Sequence, residues 1–152
     1  MLKAFFVALG FFSLVSTATA SEDQKNCPLE KTYKVAVVEG GSYIDFQRVF
    51  KHMVRTLQSQ NLIKGELLPL DYLFDKEDNY QKLAQESKGG CIEFVEDGLY
   101  NGNWQNSERE KILDDLTQRV LNKDDIDMLW AFGTSAGLDF AKGNLDIPVL
   151  VI

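Results

Sequence analysis

The residues with the clearest chemical potential are Gly133-Thr134-Ser135-Ala136-Gly137, which fit the pattern G-x-S-x-G. In a strand-turn-helix setting that pattern forms a nucleophile elbow, with the serine hydroxyl raised for attack on an acyl carbon. Such a serine needs a base to take its proton. The single histidine, His52, lies far upstream of Ser135 and none follows it. His52 stands beside an apolar helical stripe and reads as a surface residue, so a Ser-His-Asp triad is not expected. A serine-aspartate dyad would need only a carboxylate, and no residue is singled out for that role. The other chemistry open to Thr134 and Ser135 is recognition. Hydroxyls and unpaired amides at a helix start can hold a carboxylate or carbonyl, helped by the helix dipole. Gly40, Gly41, Ser42 and Tyr43 form a second glycine-bearing turn of the same kind. Two cysteines with no neighbouring histidine are not a zinc site, which takes four N or S ligands, and no metal or other cofactor is expected.

Both turns need strands to carry them. Residues 128–132 (Met-Leu-Trp-Ala-Phe) show no polar alternation, which suits a strand buried on both faces of a parallel sheet. Residues 33–38 (Tyr-Lys-Val-Ala-Val-Val) give a β-branched strand ahead of Gly40. From Tyr43 onward, Phe46, Val49, Phe50, Met53 and Leu57 follow the spacing of one helical face. Ser42 and Asp45 read as its cap, and Arg48, Lys51 and Arg55 fall off the stripe. Residues 67–70 read as a second strand. Tyr80, Leu83 and Ala84 mark a short helix within residues 74–88. Residues 91–95 form another apolar run, followed by a glycine- and asparagine-rich loop over 96–106 that carries Tyr100 and Trp104. Ser107-Glu108-Arg109-Glu110 opens an amphipathic helix continued by Ile112, Leu113, Leu116, Val120 and Leu121. After the Gly133 turn come a helix over 136–142 and a buried strand over 147–152.

This alternation predicts an α/β fold: an open parallel sheet with helices on both faces, in three αβα layers. The turns at Gly40–Tyr43 and Gly133–Ser135 should then share the carboxyl edge of the sheet, where open α/β sheets bind ligands. Tyr43, Tyr72, Tyr100 and Trp104 are candidates to stack on a planar ligand, with core or rim packing as the alternative role for each.

The 152 residues are 45% apolar and 26% charged, an ordinary globular composition of about one domain's length. Residues 1–20 combine a short positive start, an apolar stretch and Ala18-Thr19-Ala20, the pattern of a secretory signal peptide cleaved after Ala20. The apolar stretch falls short of the ~20 residues that span a bilayer, so the mature chain, from Ser21, should not cross a membrane. It would hold 15 basic and 23 acidic residues, an excess that repels nucleic-acid phosphates and anionic lipid. Cys27 and Cys91 both lie in the exported part. An oxidising compartment would allow them to pair, and two separate thiols are the other reading.

The order of the landmarks resembles the substrate-binding proteins of ABC transporters, in the tryptophan- and tyrosine-type family with the type I periplasmic-binding fold. Lys34-Val35-Ala36-Val37-Val38 with the helix from Phe46 to Leu57 looks like that family's opening unit. Residues 125–137, ending in Gly-Thr-Ser-Ala-Gly, are similar to its apolar strand closing in Gly-Thr-x-Ala, and Asp146-Ile147-Pro148-Val149-Leu150 to the next strand. The resemblance implies a periplasmic or secreted protein. It would bind a small organic solute, such as an amino acid or other planar molecule, and pass it to an ABC permease in the inner membrane. Residues 21–152 correspond to the amino-terminal lobe, without the second lobe of the family's two. Gly-Thr-Ser-Ala-Gly also resembles the elbow of patatin-like phospholipases, with Glu39-Gly40-Gly41 in place of their oxyanion loop. A serine acyl hydrolase using Ser135 is therefore one alternative function, and a truncated lobe without binding activity is another.

Overall fold

The computed structural model describes residues 27, 29, 31–69, 77–123, 125–143 and 145–152. Residues 1–20, expected to be a signal peptide, lie outside them, as do Leu70 and Tyr72. Among the described residues the element order is β1 (Tyr33–Glu39), α1 (Ile44–Ser59), α2 (Glu77–Glu86), β2 (Ile92–Asn101), α3 (Asn106–Lys123), β3 (Met128–Phe132), α4 (Thr134–Lys142) and β4 (Val149–Val151). The strands form one sheet in the order β2-β1-β3-β4, and every pairing is parallel.

The α/β architecture and its three layers are as the sequence predicts. Val35 and Val37 of β1 face one core, with Phe50 and Val54 of α1, Tyr80 and Leu83 of α2, Phe94 and Trp130. Ala36 and Val38 face the other, with Leu116 of α3, Leu129, and Ala136 and Phe140 of α4. The chain therefore moves from β1 to β2 with helices on one face. It moves from β2 to β3 and on to β4 with helices on the opposite face, as right-handed crossovers require.

Five local expectations are corrected. Residues 67–69 are not a strand: the Leu68 amide donates to Gln58 Oε1 at 3.1 Å, and Gln58 Nε2 donates to the Glu66 carbonyl at 2.8 Å. A buried glutamine thus satisfies this backbone where a strand neighbour would, and Ile92–Asn101 occupies the second-strand position. The expected loop after residue 95 is the rest of β2. Val35 pairs with Phe94 and Val37 with Leu99, so residues 95–98 bulge opposite Ala36. Arg119 holds the bulge, donating to the carbonyls of Glu96 and Asp97 and to the Tyr100 hydroxyl, while Asp125 takes a forked contact at 2.9–3.2 Å.

On α1 the face turned inward is Gln47, Phe50, Lys51, Val54 and Gln58, whereas Val49 is exposed. Phe46, Met53 and Leu57 of the expected stripe pack against the core beside Phe50, but the inward face extends to Lys51, which was expected outside and is buried. Ser42 does not cap α1; Tyr43 occupies that position without a side-chain capping hydrogen bond. Finally, β4 is not buried on both faces. It lies at the end of the sheet order, and Leu150 and Val151 are exposed.

Two tethers fasten the amino-terminal side. Cys27 and Cys91 form a disulfide across 64 positions of sequence. Asp127, just ahead of β3, accepts from Lys31 Nζ at 2.7 Å and from the Lys34 amide at 2.9 Å. Partial burial pushes its carboxyl pKa up, but the contacts with Lys31 and Lys34 outweigh this and hold it below the usual range.

Loop-closure entropy for a 64-residue separation amounts to about 4 kcal/mol. Cys27→Ser with Cys91→Ser should lower unfolding stability by about 2–5 kcal/mol in urea titrations, with reductant reproducing the loss in the parent protein. A depressed folded-state pKa contributes stability that is present above the unfolded-state value and lost as pH falls through the folded one. Asp127→Asn should therefore be destabilised relative to the parent at neutral pH. The gap should close as pH drops below the ordinary carboxylate range, measured by thermal unfolding across pH.

Candidate functional site

β1 and β3 are neighbours whose outgoing connections lead to opposite sides of the sheet. Chains that diverge from adjacent parallel strands leave a crevice at the carboxyl edge, the topological switch point. The two glycine-bearing turns meet there. The Gly40 amide donates to the Phe132 carbonyl at 3.0 Å, and the Gly133 amide to the Ile152 carbonyl at 3.0 Å. A Cβ placed on Gly40 would lie 3.8 Å from the Ala136 nitrogen, so the end of β1 abuts the start of α4.

Gly133 has φ +93°, the left-handed region open to glycine. A Cβ there would also fall 2.7 Å from the Phe46 ring. The turn delivers Thr134 and Ser135 into the first turn of α4, whose first backbone bond runs from the Gly137 amide to the Gly133 carbonyl at 2.8 Å. The amides of Thr134, Ser135 and Ala136 precede that bond and are outside the helix's own ladder. Both hydroxyl side chains are exposed. Ser135 is thus an ordinary helical residue; in a nucleophile elbow the serine itself occupies the strained turn position, which here belongs to Gly133. Asp139, one turn further along α4, is paired with buried Arg109 at 2.6 Å.

The other wall comes from the loop after β2. Its Gly102 amide donates to the Glu39 carbonyl and its Trp104 amide to the Gly40 carbonyl, each at 2.9 Å. Asn103 and Trp104 both take positive φ, 49° and 60°, a conformation rare for residues with a Cβ. Trp104 is 57% exposed, yet its ring lies so close over Gly41 that a Cβ there would sit 2.3 Å from an indole carbon. Phe46 stands 6.1 Å from Trp104 and 5.2 Å from the exposed Tyr43, centroid to centroid. Asp45 raises the pKa of the Tyr43 phenol by a hydrogen bond and by its charge, so the phenol is neutral at physiological pH.

Beneath the loop sits a carboxylate. Glu39 is only 3% exposed and accepts from Gln47 Nε2 and, at 3.2 Å, from Asn101 Nδ2. Asn101 Nδ2 also donates to Ser42 Oγ at 2.9 Å, while its Oδ1 accepts the Asn103 amide at 2.8 Å. Side chains from β1, α1 and β2 thus share one polar knot, which gives a buried carboxyl group the hydrogen-bond partners that burial would otherwise deny it.

Of the residues singled out from sequence, Gly40, Gly41, Ser42, Tyr43, Gly133, Thr134, Ser135 and Trp104 share this edge. Tyr100 does not: it is packed against the opposite-face core and its hydroxyl accepts from Arg119 at 3.0 Å. Tyr72 lies outside the described residues. Glu39, Phe46, Gln47 and Asn101 were not singled out as site residues. The only signal for Glu39 was a lone charge between an apolar strand and two glycines. Among the described residues no group of three or more His, Cys, Asp or Glu side chains could hold a metal ion, and no helix is long and apolar enough to cross a membrane.

Gly41→Ala should displace the indole from its seat. Trp104 would become more accessible to iodide quenching, while Trp130, 3% exposed, keeps its emission and serves as the internal control. An unchanged quenching constant would mean that the ring is not held by Gly41. Comparisons of the chain with protein-family models, with curated proteins and with solved structures find no match.

Proposed function

We propose that this chain is the amino-terminal lobe of an exported solute-binding protein of the ABC-transport type. It binds a small organic solute at the carboxyl edge of β1 and β3 and passes it, chemically unchanged, to a permease. The observation that carries this reading is the convergence of Gly40-Gly41-Ser42 and Gly133-Thr134-Ser135 at the switch point, next to an exposed aromatic wall. First-turn amides and the Thr134 and Ser135 hydroxyls supply donors for a carboxylate or carbonyl. Tyr43 and Trp104 supply flat apolar area, so the crevice combines a few placed polar groups with apolar walls, as small-molecule sites do. The Cys27–Cys91 disulfide supports an oxidising, extracytoplasmic location. Ser135 acts as a hydrogen-bond donor; its place in a regular helical turn favours this over nucleophilic attack.

The test is a thermal-shift screen of the purified protein with amino acids, purines and other small planar solutes. A solute at a hundred times its Kd stabilises the native state by about 2.7 kcal/mol, a shift of several degrees. Trp104→Ala should weaken binding of the hit about threefold to tenfold, the equivalent of one aromatic contact, and Ser135→Ala should weaken it without creating or removing esterase activity. No shift with any solute class would overturn the reading, and esterase activity lost in Ser135→Ala would replace it with an acyl hydrolase.

A further inference from the structure

Helix α1 is turned so that polar Gln47, Lys51 and Gln58 are buried, while Val49 is left 42% exposed. Val49, Met53 and Leu57, spaced i, i+4, i+8, line an open groove with His52 and Thr56. Met53 and Leu57 pack on one side against the core beneath α1, while Val49 beside them stays exposed, so the groove leaves apolar surface that the monomer does not cover and that is suited to an external contact. The sheet offers apolar surface on the same side. Leu150 of β4 pairs with Trp130 and therefore shares the face on which α1 and α2 pack. It is 43% exposed, and among the described residues only α1 and α2 contribute helical side chains to that face.

The charges select the occupant. Arg48 and Arg55 lie along one flank of the stripe at i, i+7, and Arg48 is paired at its outer side with Asp45 at 2.9 Å. The chain as a whole carries −7, so this helix is a basic rim on an acidic protein. A second copy pairing α1 with α1 would set cations against cations. An anionic bilayer would meet the net negative charge of the rest of the molecule. We propose that the α1 groove is a docking site for an acidic amphipathic helix of a partner protein, with aliphatic residues seated between Val49, Met53 and Leu57 and carboxylates facing Arg48 and Arg55. This surface is separate from the solute crevice, and the proposal stands whether or not a solute binds there.

The probe is a labelled synthetic peptide of about 18 residues with leucines at i, i+4, i+7 and i+11 and glutamates beside them. Its binding to the full protein is followed by fluorescence anisotropy, against a control peptide with lysines in place of the glutamates. The acidic peptide should bind, and added salt should weaken it. Val49→Asp should weaken it by about tenfold or more, and Arg48→Glu with Arg55→Glu several-fold. Thr56→Tyr, which fills the groove from an exposed position, provides a second block should Val49→Asp perturb the fold; circular dichroism checks both. Absence of binding, equal binding of the lysine peptide, or binding indifferent to both Val49→Asp and Thr56→Tyr would overturn the proposal. So would a Val49-dependent dimer in sedimentation, which assigns the groove to a second copy, or Val49-dependent capture by phosphatidylglycerol vesicles with no peptide binding, which assigns it to a bilayer.

Discussion

Everything in this fold depends on β1 being paired along both edges. A strand buried on both faces must place every backbone donor and acceptor in a ladder, because an unpaired buried amide costs about as much as a lost hydrogen bond. β1 meets that demand with β2 on one side and β3 on the other. Since the next strand in sequence takes one edge and the one after it the other, the chain must cross first over one face and then over the opposite one. The crevice at the ends of β1 and β3 is a consequence of this reversal, and it exists before any side chain is chosen to line it.

What lines it is mostly backbone. Gly41 lies under the Trp104 ring, and Gly133 leaves room for Phe46, so the aromatic side chains rest on places where a methyl group would not fit. Holding Asn103 and Trp104 at positive φ costs of order 1–3 kcal/mol each. The loop offsets this with the amide bonds from Gly102 and Trp104 to the end of β1 and with the ring contact. The result is a tryptophan presented to solvent on a rigid support. The buried Glu39 serves the same end: by gathering Gln47 and Asn101 it locks α1 and β2 to β1 below the crevice.

The patterns that were legible are those in which burial is continuous along a short run or recurs every three to four residues. Residues 33–38 and 128–132 read as strands because both faces are covered, and the Tyr80, Leu83 and Ala84 stripe read as a helix because only one is. The failures share a cause. The second half of β2, with Glu96, Asp97 and Gly98 in its bulge, has loop composition, and it remains a strand because Arg119 and Asp125, more than twenty residues downstream, satisfy it. Residues 67–70 have strand composition, but Gln58 takes the Leu68 amide and the Glu66 carbonyl. Of the apolar α1 residues only Val49 departs from the inward assignment, and nothing local reveals that Gln58 and Lys51 find partners in the interior.

By itself, then, the sequence determined the alternation of strand and helix, the two glycine turns that open α1 and α4, and hence the sheet edge at which they meet. These depend on local hydrophobic period and on backbone freedom, which a chain carries wherever it folds. Only the tertiary structure decided which aromatic residues stand at that edge: Trp104 is there and Tyr100 is on the other side of the sheet, because a bulge in β2 sets their register. It also decided that Cys27 bonds Cys91, that Glu39 is buried, and that Val49 of α1 faces solvent. Each of these depends on contacts between residues far apart in sequence, whose chemistry is defined only once the sheet has brought them together.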